Sequence, residues 1–204
     1  MKTLFIPAKI KLKIDKSKIL EISKQLPKNI AIVYSIQYKG LASGLNAIIR
    51  KNHNITKFIQ VLGCSKPSFP KATQAILLIG DGMFHALSLG FETKFPIYIL
   101  NNNKLEQISQ KDVQILENRQ KTVYLKFLNA NEIGILVSTK PGQENLKKAL
   151  IFKNNLKKKK SYLFITNNID VSEFENFGLD SWVNTACPRI DMNDNSVINI
   201  TKII

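Results

Sequence analysis

Two thiols are the residues of this chain whose type and placement best suit chemistry. Cys64 and Cys187 are the only cysteines among 204 residues, 123 positions apart. Each follows a short apolar, β-favouring run. Phe58-Ile59-Gln60-Val61-Leu62 precedes the first and Ser181-Trp182-Val183-Asn184 the second. In α/β proteins the loop beyond a strand's carboxyl end is where sites are built. Gly63 before one thiol allows close backbone approach, and Pro188 after the other fixes a turn. Most buried cysteines are small hydrophobes. Two at strand exits instead suit thiolate ligands of an iron–sulfur cluster. Zinc is open on the same grounds, although neither CxxC nor HxxxH spacing is present. Two thiolates are too few for a 4Fe–4S cluster, so a further ligand would have to come from elsewhere.

A second constellation is Gly80-Asp81-Gly82-Met83-Phe84-His85, directly after an apolar run. Two glycines around an acid make a tight loop whose amides can face a ligand. Asp81 could accept from an ammonium or hydroxyl, and His85 could carry a proton. From composition alone, a plain Asp-Gly turn followed by a helix with one satisfied histidine is the favoured reading. Ser138-Thr139-Lys140-Pro141-Gly142-Gln143 joins a strand to a helix. It lacks the P-loop layout and reads as helix-start chemistry. Arg189, two residues beyond Cys187, could pair bidentately with a carboxylate. Trp182 reads as core and His53 as surface.

The elements that must position these groups alternate strand and helix, the pattern of parallel sheets. Strands are expected at 9–14, 30–34, 57–62, 75–79, 96–100, 133–137, 162–165, 181–184 and 196–200. Helices are expected at 16–26, 38–51, 83–89, 111–128, 143–156 and 171–177. The fold class is therefore α/β: two similar small domains, each a mainly parallel sheet flanked by helices. The long polar helix 111–128 bridges them, which puts the domains at 1–128 and 129–204. A shared strand–loop–helix rhythm and a late cysteine in each half hint at duplication.

Composition bounds the partners. Net charge is +15, from 30 basic and 15 acidic residues. Only Arg50, Arg119 and Arg189 are arginines, the residue that nucleic-acid readers favour. The excess is scattered lysine, so direct nucleic-acid binding is not expected. The run Lys157–Lys160 reads as a solvated helix end. No run of about 18 apolar residues occurs, and the first residues do not resemble a secretory signal. A cytoplasmic location without membrane contact is expected.

Taken together, four stretches resemble the diphthamide synthase family, the 2-(3-amino-3-carboxypropyl)histidine synthases. They are Ser35-Ile36-Gln37-Tyr38, Gln60-Val61-Leu62-Gly63-Cys64, Gly80-Asp81-Gly82-Met83-Phe84-His85 and Val183-Asn184-Thr185-Ala186-Cys187-Pro188-Arg189-Ile190. The resemblance implies three related α/β domains, each giving one cysteine to a central 4Fe–4S cluster. This chain resembles the second domain with Cys64 and the third with Cys187. The first domain and its cysteine would come from another chain or a homologous subunit. The implied reaction cleaves S-adenosylmethionine at the cluster. It transfers a 3-amino-3-carboxypropyl group to a histidine of translation elongation factor 2. Gln37, Asp81, Gly82, His85 and Arg189 are the cofactor-contact candidates. A non-catalytic or degenerate homologue that binds a catalytic subunit or the elongation factor is the alternative.

Overall fold

The structure is a computed structural model. It describes residues 4, 6, 8–10, 15–62, 65–80, 82–101, 104–192 and 194–204. The chain divides into two compact units, Met1–Gln114 and Ile115–Ile204.

In the first unit, β1 (Asn29–Tyr34) and β3 (Ala75–Ile79) carry uninterrupted apolar runs and are almost wholly buried. Such runs suit parallel strands covered on both faces. With β2 (Asn54–Gln60), β4 (Ile97–Asn101) and β5 (Lys104–Gln107) they form a sheet in the order β2-β1-β3-β4-β5. All pairings are parallel except β4 with β5. The helices α1 (Lys16–Ser23) and α2 (Lys39–Ile49) cover one face; Ile19, Ala42, Leu45 and Ile49 pack on Ile30, Ile32 and Leu77. The helix α3 (Met83–Thr93) covers the other, setting Ala86 and Leu89 on Val33, Ile76 and Leu78. Period-two alternation along each strand sends neighbouring residues to opposite cores.

The division between units falls inside α4 (Gln110–Asn129). The second unit then repeats the design. Its strands are β6 (Glu132–Ser138), β7 (Lys160–Thr166), β8 (Ser181–Asn184) and β9 (Val197–Asn199). They are all parallel, in the order β7-β6-β8-β9. Relabelled from each unit's own start, both parallel orders read 2-1-3-4. One face is covered by α5 (Leu146–Asn155) and the end of α4, through Ala149, Phe152, Val123 and Phe127. On the other, Leu136 and Trp182 pack with Phe174 of a seven-residue 3-10 helix, Val171–Phe177, and with Ile169, Leu179 and Ile190. Lys159, in the lysine run, donates to the Leu128 carbonyl at 2.7 Å, and Lys160 pairs with Glu132 at 3.0 Å.

Several expectations shift. Residues 11–14 of the expected strand 9–14 lie outside the described residues, and Lys9 and Ile10 are not in a strand. Instead the Ile10 amide donates to the Gln37 carbonyl at 3.0 Å. The segment 171–177 is 3-10 and not α, bounded by the Asp170 cap and by Gly178 at φ 59°. The helix expected from 143 starts three residues later, because Pro141–Gln143 form a turn with Gly142 at φ 79°. The antiparallel β5 was not anticipated. Its Lys-Leu-Glu-Gln sequence is short, polar and mostly exposed, as edge strands are.

One contact fixes the second sheet's thinly covered face. Gly134 on β6 pairs in register with Trp182 on β8. A Cβ built at Gly134 would lie 2.2 Å from the indole carbons. The indole therefore lies against bare backbone, and Trp182 is 2% exposed. Gly134→Ala is expected to lower stability by about 1–3 kcal/mol through overpacking. Denaturant unfolding followed by Trp182 fluorescence checks it; an unchanged midpoint would refute the contact.

Candidate metal and cofactor site

In a sheet of order 2-1-3-4 the chain reverses direction across the sheet between its first and third strands. Ligands bind in the crevice outside the carboxyl ends at that switch point. In the first unit the crevice is flanked by the exits of β1 and β3. Gln37 lies in the 3-10 turn Ile36–Tyr38 after β1 and is exposed. Gly82 caps α3 at φ 94°, a conformation that disfavours side chains. His85 sits in the first turn of α3, half-buried, with its ring 5.3 Å from Phe84 at 76°. The two exits approach closely: a Cβ at Gly80 would meet Ser35 Oγ at 3.5 Å. So Gln37 follows the exit of β1, and Gly82 and His85 follow the exit of β3. Asp81 belongs to this motif by sequence and lies outside the described residues.

Cys64 and Gly63 also lie outside the described residues. Their flanks are well tied. The Leu62 amide donates to Ser65 Oγ at 2.8 Å, and the Ser65 amide donates to the Leu62 carbonyl at 2.9 Å. Val61 is anchored to the Tyr34 carbonyl at 2.9 Å, at the exit of β1. The strand itself stops at Gln60, two residues earlier than expected.

In the second unit Cys187 lies three residues beyond β8, beside the corresponding switch point. A buried amide builds its loop. Asn184 closes β8 at 0% exposure. Its Oδ1 accepts from the Ala186 amide at 2.8 Å. Its Nδ2 donates to the Cys187 carbonyl at 2.8 Å and to Asp191 Oδ1 at 2.7 Å. The Ile190 amide also reaches the Cys187 carbonyl, at 3.2 Å, opening the 3-10 turn Pro188–Met192. Thr185 is pinned from both sides: its Oγ1 donates to the Leu136 carbonyl, and its own carbonyl accepts from Asn145 at 2.8 Å. The loop presents a half-buried Cys187 and an exposed Arg189 at one exit. Asn145, at the start of α5, is where the expected helix-start loop meets this site. Ser138 instead binds the Lys140 amide and the Asn167 carbonyl.

Asn184 and Asp191 were not among the sequence candidates. The available signal was a polar amide ending a buried strand three residues before a cysteine. Burial pushes the Asp191 carboxyl up to about 7; the Asn184 hydrogen bond and the positive charge of Lys202 oppose that rise. Among the described residues no three of His, Cys, Asp and Glu gather as a self-sufficient metal site. Gln37, Gly82 and His85 thus belong to the first unit and Cys187 and Arg189 to the second.

Residues 1–197 match the diphthamide synthesis protein family. The chain belongs to that family. Two curated relatives named 2-(3-amino-3-carboxypropyl)histidine synthase come from Pyrococcus horikoshii and Methanocaldococcus jannaschii. The first is 29% identical over 66% of this chain and 40% of its own length. The second is 28% identical over 95% of this chain and 57% of its own length. The chain thus spans roughly half the length of the curated relatives it matches. Two crystal structures of Dph2 from Pyrococcus horikoshii, one with a 4Fe-4S cluster, superpose with TM-scores of 0.75. Identities are 23% and 24%, covering 92% of this chain and 59% of theirs. The diphthamide synthesis fold of two mainly parallel, helix-flanked sheets is therefore shared. Among the described residues no helix is long and apolar enough to cross a membrane.

Two outcomes test the Cys187 loop. Asn184→Ala removes both amide donations and leaves buried partners unpaired, which costs about 1–3 kcal/mol for each such group. Alkylation of Cys187, followed by mass spectrometry of its peptide, is expected to become faster; an unchanged rate would refute the amide's role. For Asp191, the folded pKa of about 7 stands above the carboxyl's ordinary value of 3.8. Its contribution to stability is complete below pH 4 and is lost as pH rises through 7. Asp191→Asn is expected to gain stability over the parent progressively from pH 4 to 7, with a constant difference above. Urea unfolding across that range reads it, and a pH-independent difference would refute it.

Proposed function

We propose that this chain is a subunit of a diphthamide synthase. In this reading it helps transfer a 3-amino-3-carboxypropyl group from S-adenosylmethionine to a histidine of translation elongation factor 2. The observation that carries the reading is the Cys187 loop. A buried amide holds the cysteine's main chain at a switch-point exit, in a family whose relatives are named as that synthase and include a structure with a 4Fe-4S cluster.

The residues fit such a group. Cys187 is a half-buried thiol on a loop fixed by hydrogen bonds to its own carbonyl and to the residues before it. A ligand held this way needs little reorganisation on binding. In the proposal Cys187 and Cys64 hold the cluster, their sequence stretches being those that resemble the family's ligand loops. When bound and reduced, the cluster would supply the electron that cleaves the carbon–sulfur bond of S-adenosylmethionine. The family resemblance implies three thiolates, and these 204 residues contain two. The remaining ligand is assigned to polypeptide outside them, on a partner chain or a homologous subunit.

The other candidates take binding roles. Arg189 follows the Cys187 loop and is exposed; its guanidinium suits the cofactor's carboxylate through paired hydrogen bonds. Gly82 and Gln37 offer polar backbone and amide groups at the first unit's crevice, and His85 lies one turn behind. Asp81 would accept from the cofactor's amino group or ribose. In the proposal residues 1–128 act as the family's second domain and 129–204 as its third, in the cytoplasm.

Anaerobic iron–sulfide reconstitution tests this, with the chain alone and with candidate partners that contribute a third cysteine. Stable cluster absorbance and release of methylthioadenosine are expected only in the mixture. Cys64→Ser and Cys187→Ser should each lower bound iron by more than half while circular dichroism stays unchanged. Full iron content in the double variant would overturn the ligand assignment. Full turnover by the chain alone would overturn the need for a partner.

A further inference from the structure

The second unit segregates its charge between the two faces of its sheet. Residues 118–129 and 145–160 supply the end of α4, α5 and the run after it; they contain lysines and one arginine and no Asp or Glu. Residues 161–188 include the 3-10 helix on the opposite face; they contain Asp170, Glu173, Glu175 and Asp180 and no Lys or Arg. The helical face is thus basic and the opposite cover acidic.

The same helical face is apolar where it should be polar. A surface helix normally turns charged and polar residues to solvent. Here α4 exposes Tyr124, Leu125 and Leu128, and α5 exposes Leu150 and Ile151, by between 38% and 57%. Each set follows a lysine at one helical spacing. Lys121 stands three and four residues before Tyr124 and Leu125, and Lys147 stands three and four before Leu150 and Ile151. Residues so spaced share a helix face. Behind them the rings of Phe127 and Phe152 lie 6.2 Å apart, so the two helices sit side by side on the sheet. Their exposed stripes therefore look out from the same side of the unit. Single apolar residues scattered on a surface are ordinary, whereas a patch on adjoining helices is of the kind that marks an interaction site. Among the described residues Lys121, Lys126, Lys147 and Lys148 are in no ion pair. The carboxylates that would complement them are not supplied by this unit.

We propose that this face docks an acidic amphipathic helix of a partner protein. The partner's apolar stripe would lie against Tyr124, Leu125, Leu128, Leu150 and Ile151, in the helix-in-groove mode, and its carboxylates would meet the flanking lysines. Charge complementarity selects the sign of the partner and fixes its register. A membrane surface fits less well. Interfacial helices sink Trp, Phe and Leu into the bilayer, and here Phe127 and Phe152 are turned inward at 4% and 5% exposure. A nucleic acid fits less well too, because the centre of the patch is mostly aliphatic and offers bases little to stack on. The surface uses none of the loops of the synthase reading and is independent of it.

The test uses the intact chain and a fluorescent peptide of Leu and Glu. Its leucines repeat at helical spacing, and it is longer than about 15 residues so that it holds a helix. Anisotropy is read at about 150 mM salt, where exposed charges are screened beyond roughly 8 Å. Saturable binding is expected, about tenfold tighter than for a scrambled peptide of the same composition, a difference of about 1.4 kcal/mol. Leu125→Ser, Ile151→Ser and Lys147→Glu alter residues on the exposed stripe, and far-UV circular dichroism would verify their folds. Each should weaken binding about fivefold or more, as truncation of a central contact does. Lys71→Glu, an equal charge change in the first unit, should leave it unchanged. Equal binding of the scrambled peptide would overturn the proposal, as would equal loss in the Lys71→Glu protein, because either reduces the effect to attraction by a basic chain. No saturable binding would also overturn it. Tighter binding to phosphatidylserine vesicles or duplex DNA, lost in Ile151→Ser, would overturn it in favour of that surface. Self-association of the chain that Leu125→Ser abolishes would give the face to a second copy and overturn it likewise.

Discussion

The candidate site of the second unit depends on one side-chain amide. Asn184 sits at the last residue of a fully buried strand, where an unpaired polar group would cost about 1–3 kcal/mol. It escapes that cost by binding the Ala186 amide, the Cys187 carbonyl and the Asp191 carboxyl at once. Those bonds turn the chain sharply out of the sheet and hold the cysteine's backbone there. These bonds are made where the amide is shielded from solvent. The same burial raises Asp191, whose neutral form is the better tenant of that interior. Local order at the thiol is thus a by-product of satisfying a buried donor.

The two units share a strand order and differ in where they carry chemistry. In the second, the cysteine follows the strand corresponding to β3. In the first, the β3 exit carries the Gly80–Gly82 loop, and the cysteine's stretch follows β2. Two units of one strand order therefore do not place their cysteine stretches at corresponding strands. What they preserve is the set of parallel carboxyl ends, any of which can be decorated. This matches the general separation between folds and the sites built on them.

Much of this was legible in the sequence, for physical reasons that can be named. Ile30–Tyr34 and Ala75–Ile79 are β-rich runs bounded by turn residues, and only buried parallel strands accept such runs. The alternation of period two and period 3.6 fixed both sheets. The short, polar β5 was illegible because an edge strand buries little and so carries no apolar pattern. The 171–177 segment has helical spacing, but the composition does not say whether seven residues close as α or 3-10. At the site, the cysteines announced themselves by rarity. Asn184 and Asp191 did not, because their importance lies in three hydrogen bonds and in burial, and neither is visible along the chain.

The reversal at β4 and β5 has a wider meaning. Because β5 runs back against β4, the polypeptide quits the first sheet at its amino-terminal rim, and α4 begins there. The next strand enters the second sheet at that sheet's own amino-terminal rim. By connectivity α4 joins the two sheets through their amino-terminal ends, whereas the candidate loops leave the carboxyl ends. Within each sheet, the link between the units and the loops proposed to bear chemistry therefore lie at opposite ends of the strands.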